Sequence, residues 1–198
     1  VGTTAVGKSK VAIELARKID GEIISADSMQ IYRAMDIGTA KPSISERKLV
    51  PHHLIDMVEP TDSFSVFDFR ERALEAITKI FEKRKRVIIV GGTGLYIRML
   101  IHGISSQPGG SMELREKYGA MAEAKGVEAL YGELKRLDPE RAGQIQSRDQ
   151  KRIIRALEII EMTGKKHQEF FSERESLKAS GYDYQLIGIT MERQSLYS

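Results

Sequence analysis

The chain has 198 residues, of which 41% are hydrophobic and 30% are charged, with a formal net charge of +3 and no cysteine. This length suits one α/β domain with a sizeable core and a small second domain, and the lack of cysteine excludes disulfides and thiolate metal sites. No apolar run approaches the roughly 20 residues that span a bilayer and no signal peptide is visible, so we expect a soluble, cytoplasmic protein.

The chain opens on a phosphate-binding loop, because residues 2–9 read GTTAVGKS and match G-x-x-x-x-G-K-S. The apolar spacing that follows predicts a helix over residues 8–19, and a helix beginning at the Lys-Ser pair is the context in which this motif works. Inward-pointing N–H groups, the helix N-terminus and Lys8 would hold the phosphate, and the hydroxyl of Ser9 would bind Mg²⁺. The alternative is a chance match in a glycine-rich turn.

Strands and helices alternate along the next hundred residues, which predicts a parallel sheet with helices on both faces. The apolar run RVIIV is typical of a central strand covered on both sides. The predicted strands are 22–26, a short one within 49–57, and 86–90; the predicted helices are 65–83 and one from Leu95; residues 30–45 are predicted to be loop.

A second, all-helical domain is predicted after the breaker-rich segment 105–111. Its predicted helices are 112–125, 127–137, a third starting at Asp138-Pro139, and 149–162, and strand character returns at 184–190. We therefore assign residues 1–104 and 182–198 to an α/β core and residues 105–181 to a helical insertion.

The strand RVIIV runs into Gly91-Gly92-Thr93-Gly94, whereas an NTP hydrolase would end such a strand in an acid that holds Mg²⁺. The loop therefore predicts phosphate binding and argues against NTP hydrolysis. Asp27 follows the strand 22–26, and ligands of open α/β sheets bind at the carboxyl ends of strands. Asp27 could hold a metal or accept a proton; the alternative is a turn aspartate.

Basic side chains share one stripe of the helix 149–162, and apolar ones occupy the opposite stripe. The stripe consists of Arg148, Lys151, Arg152 and Arg155. A solvated face and a contact with a nucleic-acid backbone are both open explanations. His52 and His53 are adjacent on a predicted strand and point to opposite faces, so a shared metal is not expected and we interpret them as structural or supporting residues.

Five stretches together carry a family resemblance, in the family's order and over nearly the whole chain. They are GTTAVGKS, ISADSMQIYRAMDIGTAKP, VPHHLIDM, IIVGGTGLYI and DQKRIIRALEIIEMTGK. The chain resembles the bacterial tRNA dimethylallyltransferases, which add an isopentenyl group to the adenosine that follows the anticodon. The resemblance implies a P-loop NTPase-like fold, dimethylallyl diphosphate and the tRNA anticodon stem-loop as partners, Mg²⁺ as cofactor, and a monomer.

The resemblance also implies roles for individual residues. Asp27 would accept a proton from, or orient, the exocyclic amine of a flipped-out adenine, while Mg²⁺, Lys8 and Arg193 neutralise the departing pyrophosphate. The implied diphosphate-binding residues are Gly2, Thr3, Thr4, Ala5, Val6, Gly7, Lys8 and Ser9. The implied tRNA-binding residues are Asp27, Ser28, Met29, Gln30, Thr93, Arg115, Gln150, Lys151, Arg152 and Arg155.

The chain departs from the family pattern in two respects. Gly2-Thr3-Thr4 stands where the family has Gly-Pro-Thr, and because Thr3 supplies an N–H that proline lacks, we expect binding to survive. Only Val1 precedes the loop and family members extend further, so we expect a fragment truncated at both ends. The alternative functions are a P-loop kinase of a small molecule or nucleotide, a prenyltransferase of free adenine nucleotides, and a non-catalytic RNA-binding module.

Overall fold

The computed structural model describes residues 1–2, 6–103, 108–170 and 176–191. It divides into two compact units, one formed by Val1–Gly103 with Ser176–Ser198 and the other by Ile104–Glu175. The boundaries inferred from the sequence lie at 104/105 and 181/182, so residues 176–181, which we assigned to the insertion, fall in the first unit.

The first unit contains a parallel sheet with the strand order β2-β1-β3. The strands are β1 (Gly21–Ser25), β2 (His52–His53) and β3 (Arg86–Val90). All five residues of β1 are buried, whereas β3 is only partly buried and lies at one edge of the described sheet. The prediction that RVIIV is the central strand is therefore wrong for the described residues, because the shorter and less apolar GEIIS has a strand on each side.

Alternating side chains of β1 and β3 face two different layers of helices, as the period of two in a strand requires. Ile23 and Ile88 pack with Ile13 and Ala16 of helix α1 (Lys8–Ile19). Ile24 belongs to the larger core on the opposite face, which it shares with helices α3 (Val66–Glu82) and α4 (Gly94–His102). The predicted α/β class, with helices on both faces, is confirmed.

A short helix, α2 (Ile44–Leu49), lies where the sequence analysis had loop followed by strand. Ser43 caps it: the Ser43 hydroxyl accepts a hydrogen bond from the backbone N–H of Glu46, and the Glu46 carboxylate accepts one from the backbone N–H of Ser43. This capping box follows from the spacing S-x-x-E and was visible in the sequence. The same device, formed by Ser65 and Asp68, begins α3.

The segment 184–190 does not form the predicted strand. Its contacts with the start of the chain are a parallel bridge between Gly2 and Ile189, a hydrogen bond from the Ile189 N–H to Val1 O at 2.8 Å, and one from the Val1 amine to Ile187 O at 2.8 Å. Strand character needs a longer ladder of partners, and among the described residues only Val1 and Gly2 pair with this segment. A cavity of about 470 Å³ borders the free edge of β3 here, and Leu186 and Ile187 are largely exposed.

The second unit is all-helical within the residues described. It contains α5 (Met112–Lys125), α6 (Val127–Leu137), α7 (Pro139–Gly143), α8 (Gln150–Thr163) and a 3₁₀ turn at His167–Phe170. Leu130, Leu134, Ile153 and Leu157 are fully buried in its core. The apolar stripe predicted for residues 149–162 therefore packs inward, as its helical spacing requires.

Candidate functional site

The phosphate loop delivers the chain into α1 at Lys8, as its sequence predicts. Gly7 precedes the helix with φ 81°, in the left-handed region where a side chain is strained. Among the described residues no side chain caps α1, and its first turn contains no acidic residue, so its N-terminal N–H groups suit an anion. Thr3, Thr4 and Ala5 lie outside the described residues, as does Arg193.

The ammonium of Lys8 lies beside the loop that follows β3. Its Nζ is 4.0 Å from the position that a Cβ would take on Gly92. Lys8 and the Gly91–Gly94 segment therefore belong to one site, at the carboxyl end of the sheet. Ser9 follows in the first turn of α1 and is partly exposed, so its hydroxyl is accessible to a metal ion.

The loops that follow β1 and β3 are fastened to each other. The backbone N–H of Thr93 donates to Ala26 O at 3.2 Å, and the N–H of Ser28 donates to Thr93 Oγ1 at 2.9 Å. Gly91 is essential to this approach, because a Cβ there would lie 2.0 Å from Ala26 O. The GGTG segment stands where an NTP hydrolase would have an acid. In this structure the segment allows the close packing that aligns the two loops.

Asp27 is half-buried at the end of β1, and its carboxylate helps to form the turn that follows. Its Oδ1 accepts hydrogen bonds from the N–H of Met29 at 2.9 Å and of Gln30 at 3.4 Å. No hydrogen bond to Oδ2 involves the part of the chain that the structure describes. Asp27 is thus a turn aspartate, the alternative considered from the sequence. Its Oδ2 could still accept a proton, and the catalytic role stays a prediction.

The four residues of the DSMQ motif divide by exposure. Met29 is 44% exposed and Ser28 is half-buried, whereas Gln30 is buried. The Gln30 amide accepts from Ser25 Oγ at 2.8 Å and donates to Thr39 O and Ala40 O at 3.1 and 3.0 Å. Gln30 therefore connects the loop 36–40 to β1. The sequence analysis predicted a tRNA contact for Gln30 and did not predict this structural role.

An ionic cluster around the buried side chain of Lys41, which the sequence analysis missed, contacts the same loop. The side chain of Lys41 is 1% exposed and its ammonium lies 2.9 Å from Asp36 and 2.6 Å from Asp56, which also pairs with Arg47 at 2.6 Å. Burial alone would lower the pKa of Lys41, but its two carboxylate partners outweigh burial and raise the pKa. Burial would likewise raise the pKa of Asp56, and hydrogen bonds from Lys41 and Arg47 lower it instead. Spacing in the sequence could not reveal the cluster, because Asp56 lies fifteen residues beyond Lys41.

The two histidines point apart and have different partners. His52 Nδ1 is 2.8 Å from Val50 O, and burial lowers the pKa of its imidazole. His53 Nε2 is 2.7 Å from the buried carboxylate of Glu22, which Lys83 also contacts. Across the described ranges no group of three or more potential ligands could hold a metal ion, and the interpretation of these histidines as structural agrees with their contacts.

In the second unit the predicted tRNA-binding residues differ in their exposure and in their hydrogen-bond partners. Lys151 and Arg152 are exposed on α8, and Arg152 pairs at 3.0 Å with Asp149, the residue that caps the helix. Gln150 is half-buried in the first turn. Arg155 instead turns back, donating to Pro108 O and to the buried carboxylate of Glu158, both at 2.6 Å.

Arg115, at the start of α5, lies with its Nε 3.3 Å from the same carboxylate and is 60% exposed. Both units thus contain candidate site residues, which the sequence analysis selected by resemblance rather than by these contacts. No helix in the described part of the chain has the length and apolarity needed to cross a membrane.

A family model described as IPP transferase matches residues 30–198. The chain is 48% identical over 196 residues to a protein named tRNA dimethylallyltransferase from Geobacter metallireducens, covering 99% of this chain and 63% of the relative. It is 47% identical over 198 residues to the protein of the same name from Bacillus cereus strain B4264, covering 100% of this chain and 62% of the relative.

Solved structures are similar as well. A tRNA isopentenylpyrophosphate transferase from Bacillus halodurans matches with a TM-score of 0.62 and 44% identity, over 99% of this chain and 60% of that one. A eukaryotic dimethylallyltransferase described as acting on tRNA matches with a TM-score of 0.74 and 35% identity, over 88% of this chain and 44% of that one. The fold is the P-loop NTPase-like fold of these neighbours.

The chain spans about 60% of the length of the curated relatives that it matches. Within that span the similarity is continuous and covers both units. By its sequence and its fold, the chain belongs to the IPP transferase family.

Proposed function

We propose that the protein transfers the dimethylallyl group of dimethylallyl diphosphate to the exocyclic amine of the adenosine 3′ of the anticodon in tRNA. The observation that carries the proposal is the convergence of Lys8, Thr93 and Asp27 at the carboxyl end of one sheet. A cation for a diphosphate and a carboxylate for a proton are therefore available at adjacent loops. The names of the relatives add support, since they describe transfer of a dimethylallyl group to tRNA.

The reaction forms a bond between the amine nitrogen and the allylic carbon and breaks the bond from that carbon to the diphosphate oxygen. Charge develops on the departing pyrophosphate, where Lys8 and the N-terminal N–H groups of α1 stabilise it. The nitrogen must lose a proton, and Asp27 Oδ2 accepts it or orients the amine. Extruding the adenine from its stack costs a few kcal/mol, and least in an unpaired loop.

Mg²⁺ fits this arrangement, because diphosphate oxygens and a hydroxyl are ligands that it accepts. The partly exposed hydroxyl of Ser9, one residue from Lys8, would hold the ion. When bound, the ion would neutralise charge on the leaving group. We further expect a monomer that works in the cytoplasm, where its RNA substrate would be met.

Incubation with an unmodified tRNA transcript and isotopically labelled dimethylallyl diphosphate tests the proposal directly. We expect label in the adenosine next to the anticodon, detected after nuclease digestion, with pyrophosphate release that depends on the tRNA. Transfer of the γ-phosphate of ATP to a small molecule, with no labelled nucleoside, would show a kinase instead. Modification of free AMP that excess tRNA does not suppress would indicate a nucleotide prenyltransferase.

A further inference from the structure

Glu158 is a fully buried acid in the second unit that the proposed reaction does not use. Its exposure is 0%, although it lies on α8 among Ile153, Leu157 and Ile159. Burying a carboxylate costs several kcal/mol unless cations and hydrogen-bond donors compensate. The contacts of Glu158 are therefore informative about why an acid occupies a core position.

Both oxygens of Glu158 have partners, and two of these partners, Arg115 and Arg155, are candidate tRNA-binding residues. Oε1 accepts a hydrogen bond from the N–H of Ser111 and lies 3.3 Å from Arg115 Nε. Oε2 lies 2.6 Å from Arg155 Nη1. The carboxylate thus joins α8 to the start of α5 through Arg115 and the Ser111 N–H, and Arg155 contacts it from within α8.

The two arginines end in different environments. The guanidinium of Arg155 makes its hydrogen bonds within the second unit. Nη2 donates to Pro108 O at 2.6 Å, and Nη1 also donates to Gly109 O at 3.4 Å. Arg115 is contacted by Glu158 through Nε, and its side chain is 60% exposed. An ion pair at Nε restricts where the guanidinium can lie, and the planar fork of its other N–H groups is the geometry that matches a phosphate.

We propose that Glu158 is a positioning residue that orients Arg115 toward a phosphate of the tRNA, and that Arg155 braces the segment 108–109 rather than contacting RNA. The inference rests on the proposed function, because it names the RNA as the ligand of Arg115. Fixing the guanidinium before binding removes part of the rotamer entropy that an exposed arginine would lose on meeting a phosphate.

Gly110 offers a way to displace Arg115 without touching the core. A Cβ on Gly110 would lie 2.0 Å from Arg115 Nη2, which is the far end of a flexible side chain and must move. Gly109 is the matched control, because a Cβ there would meet nothing within 4 Å. For Gly110→Ala we expect binding of an unmodified anticodon stem-loop transcript to weaken about three- to ten-fold, the loss typical of one hydrogen-bonding contact. Gly109→Ala should bind as the unchanged chain does.

Glu158→Gln distinguishes a positioning role of Glu158 from an effect of net charge. A positioning role predicts weaker binding to RNA, whereas an effect of net charge predicts tighter binding. If only net charge mattered, removing an acid would strengthen binding to a polyanion, as we expect for Glu161→Gln on the next turn of the same helix. If Glu158 positions Arg115, Glu158→Gln weakens binding and raises the KM for the transcript while kcat changes little. In an Arg115→Ala background, neither Glu158→Gln nor Gly110→Ala should have a further effect.

The experiment uses the full chain, with binding measured by fluorescence anisotropy and folding checked by circular dichroism. Tighter binding by Glu158→Gln, unchanged binding by Gly110→Ala, or full effects of both changes without Arg115 would overturn the inference. If Glu158→Gln does not fold, the comparison of Gly110→Ala with Gly109→Ala decides. A parent chain that binds and modifies no RNA contradicts the proposed function instead, so the two failures are distinguishable.

Discussion

The hydroxyl of Thr93 accepts a hydrogen bond from the backbone N–H of Ser28 at 2.9 Å and lies 3.3 Å from the Ser28 hydroxyl. Ser28 and Thr93 lie 65 residues apart in the chain, one after β1 and the other after β3. This contact sets the position of the loop that contains Asp27 relative to the loop beside Lys8. Several consequences for activity and stability can be measured.

Thr93→Val keeps the shape of the side chain and removes the acceptor of the Ser28 N–H. We expect a loss of about 1–3 kcal/mol in the free energy of unfolding, because a partly buried donor is left without its partner. Turnover should fall as well, since the loops lose their alignment. Urea unfolding and single-turnover kinetics measure the two effects, and Thr93→Ser, which keeps the hydroxyl, should restore most of both. Equal losses in the serine and valine variants would exclude the hydroxyl as the cause.

Gly91→Ala should destabilise the first unit strongly. The added Cβ would lie 2.0 Å from Ala26 O and 2.8 Å from Ala26 Cα, and the buried backbone of Ala26, directly after β1, cannot move aside cheaply. We expect about 1–3 kcal/mol of destabilisation, as for other overpacked sites. Gly94→Ala is the control, because a Cβ at Gly94 meets nothing within 4 Å and alanine favours the helix that begins there. Thermal unfolding of the two variants side by side provides the measurement.

Two substitutions at Asp27 distinguish its structural role in the turn from its proposed role as a proton acceptor. Asp27→Asn keeps a side-chain oxygen for the N–H groups of Met29 and Gln30 but removes the charge. We expect Asp27→Asn to fold normally and to lose turnover by about 10²–10⁴-fold, as when a general base is removed. Asp27→Ala should lose turnover too, with a modest loss of tRNA affinity. Near-normal prenyl transfer by Asp27→Asn would mean that this residue only shapes the turn.

The ionic cluster around Lys41 predicts how stability depends on pH. The pKa of Asp56 is lowered below its ordinary 3.8, so its contribution is present above pH 3.8 and is lost as the pH falls through the lowered value. The pKa of Lys41 is raised above 10.5, so its contribution is present below pH 10.5 and is lost as the pH rises through the raised value. Between these limits both contributions remain.

Asp56→Asn tests that dependence. At neutral pH it should cost about 2 kcal/mol or more, because Lys41 stays buried with one carboxylate fewer. Chemical unfolding of both proteins between neutral and acidic pH should show the difference shrinking as Asp56 of the parent becomes protonated. A difference that stays constant down to strongly acidic pH would contradict the assignment.

Arg152 and Arg155 should respond differently to removal, although one stripe of α8 contains both. Arg152→Ala removes an exposed cation and should weaken tRNA binding and lower its salt slope by about one, with little effect on folding. Arg155→Ala removes the partner of a buried acid and should mainly lower the free energy of unfolding. Binding isotherms at several salt concentrations, together with urea unfolding, measure both effects. The same loss of salt slope in the two variants would mean that Arg155 also contacts RNA.

Local patterns were sufficient for most of the helices. Apolar spacing predicted α1 and α6, and the run RVIIV coincides with β3. Among the described elements, α2 and the 3₁₀ turn at His167–Phe170 were not predicted, although the capping box formed by Ser43 and Glu46 could have identified α2. Helix formation and capping depend on residues within four positions of each other, and the sequence contains that information directly.

Contacts between segments far apart in the chain could not be predicted from the sequence. Which strand is central, whether 184–190 finds a partner, and why Gly91 must be glycine all depend on segments that meet across tens of residues. The same holds for side-chain direction, since the helical stripe places Arg152 and Arg155 together while Glu158 and Pro108 draw Arg155 inward. The sequence by itself thus determined most of the helices, the strand β3, the phosphate loop and the resemblance to a family. Only the tertiary structure decided which polar groups support the site and which remain accessible, because a buried charge takes its partners from wherever the fold brings them.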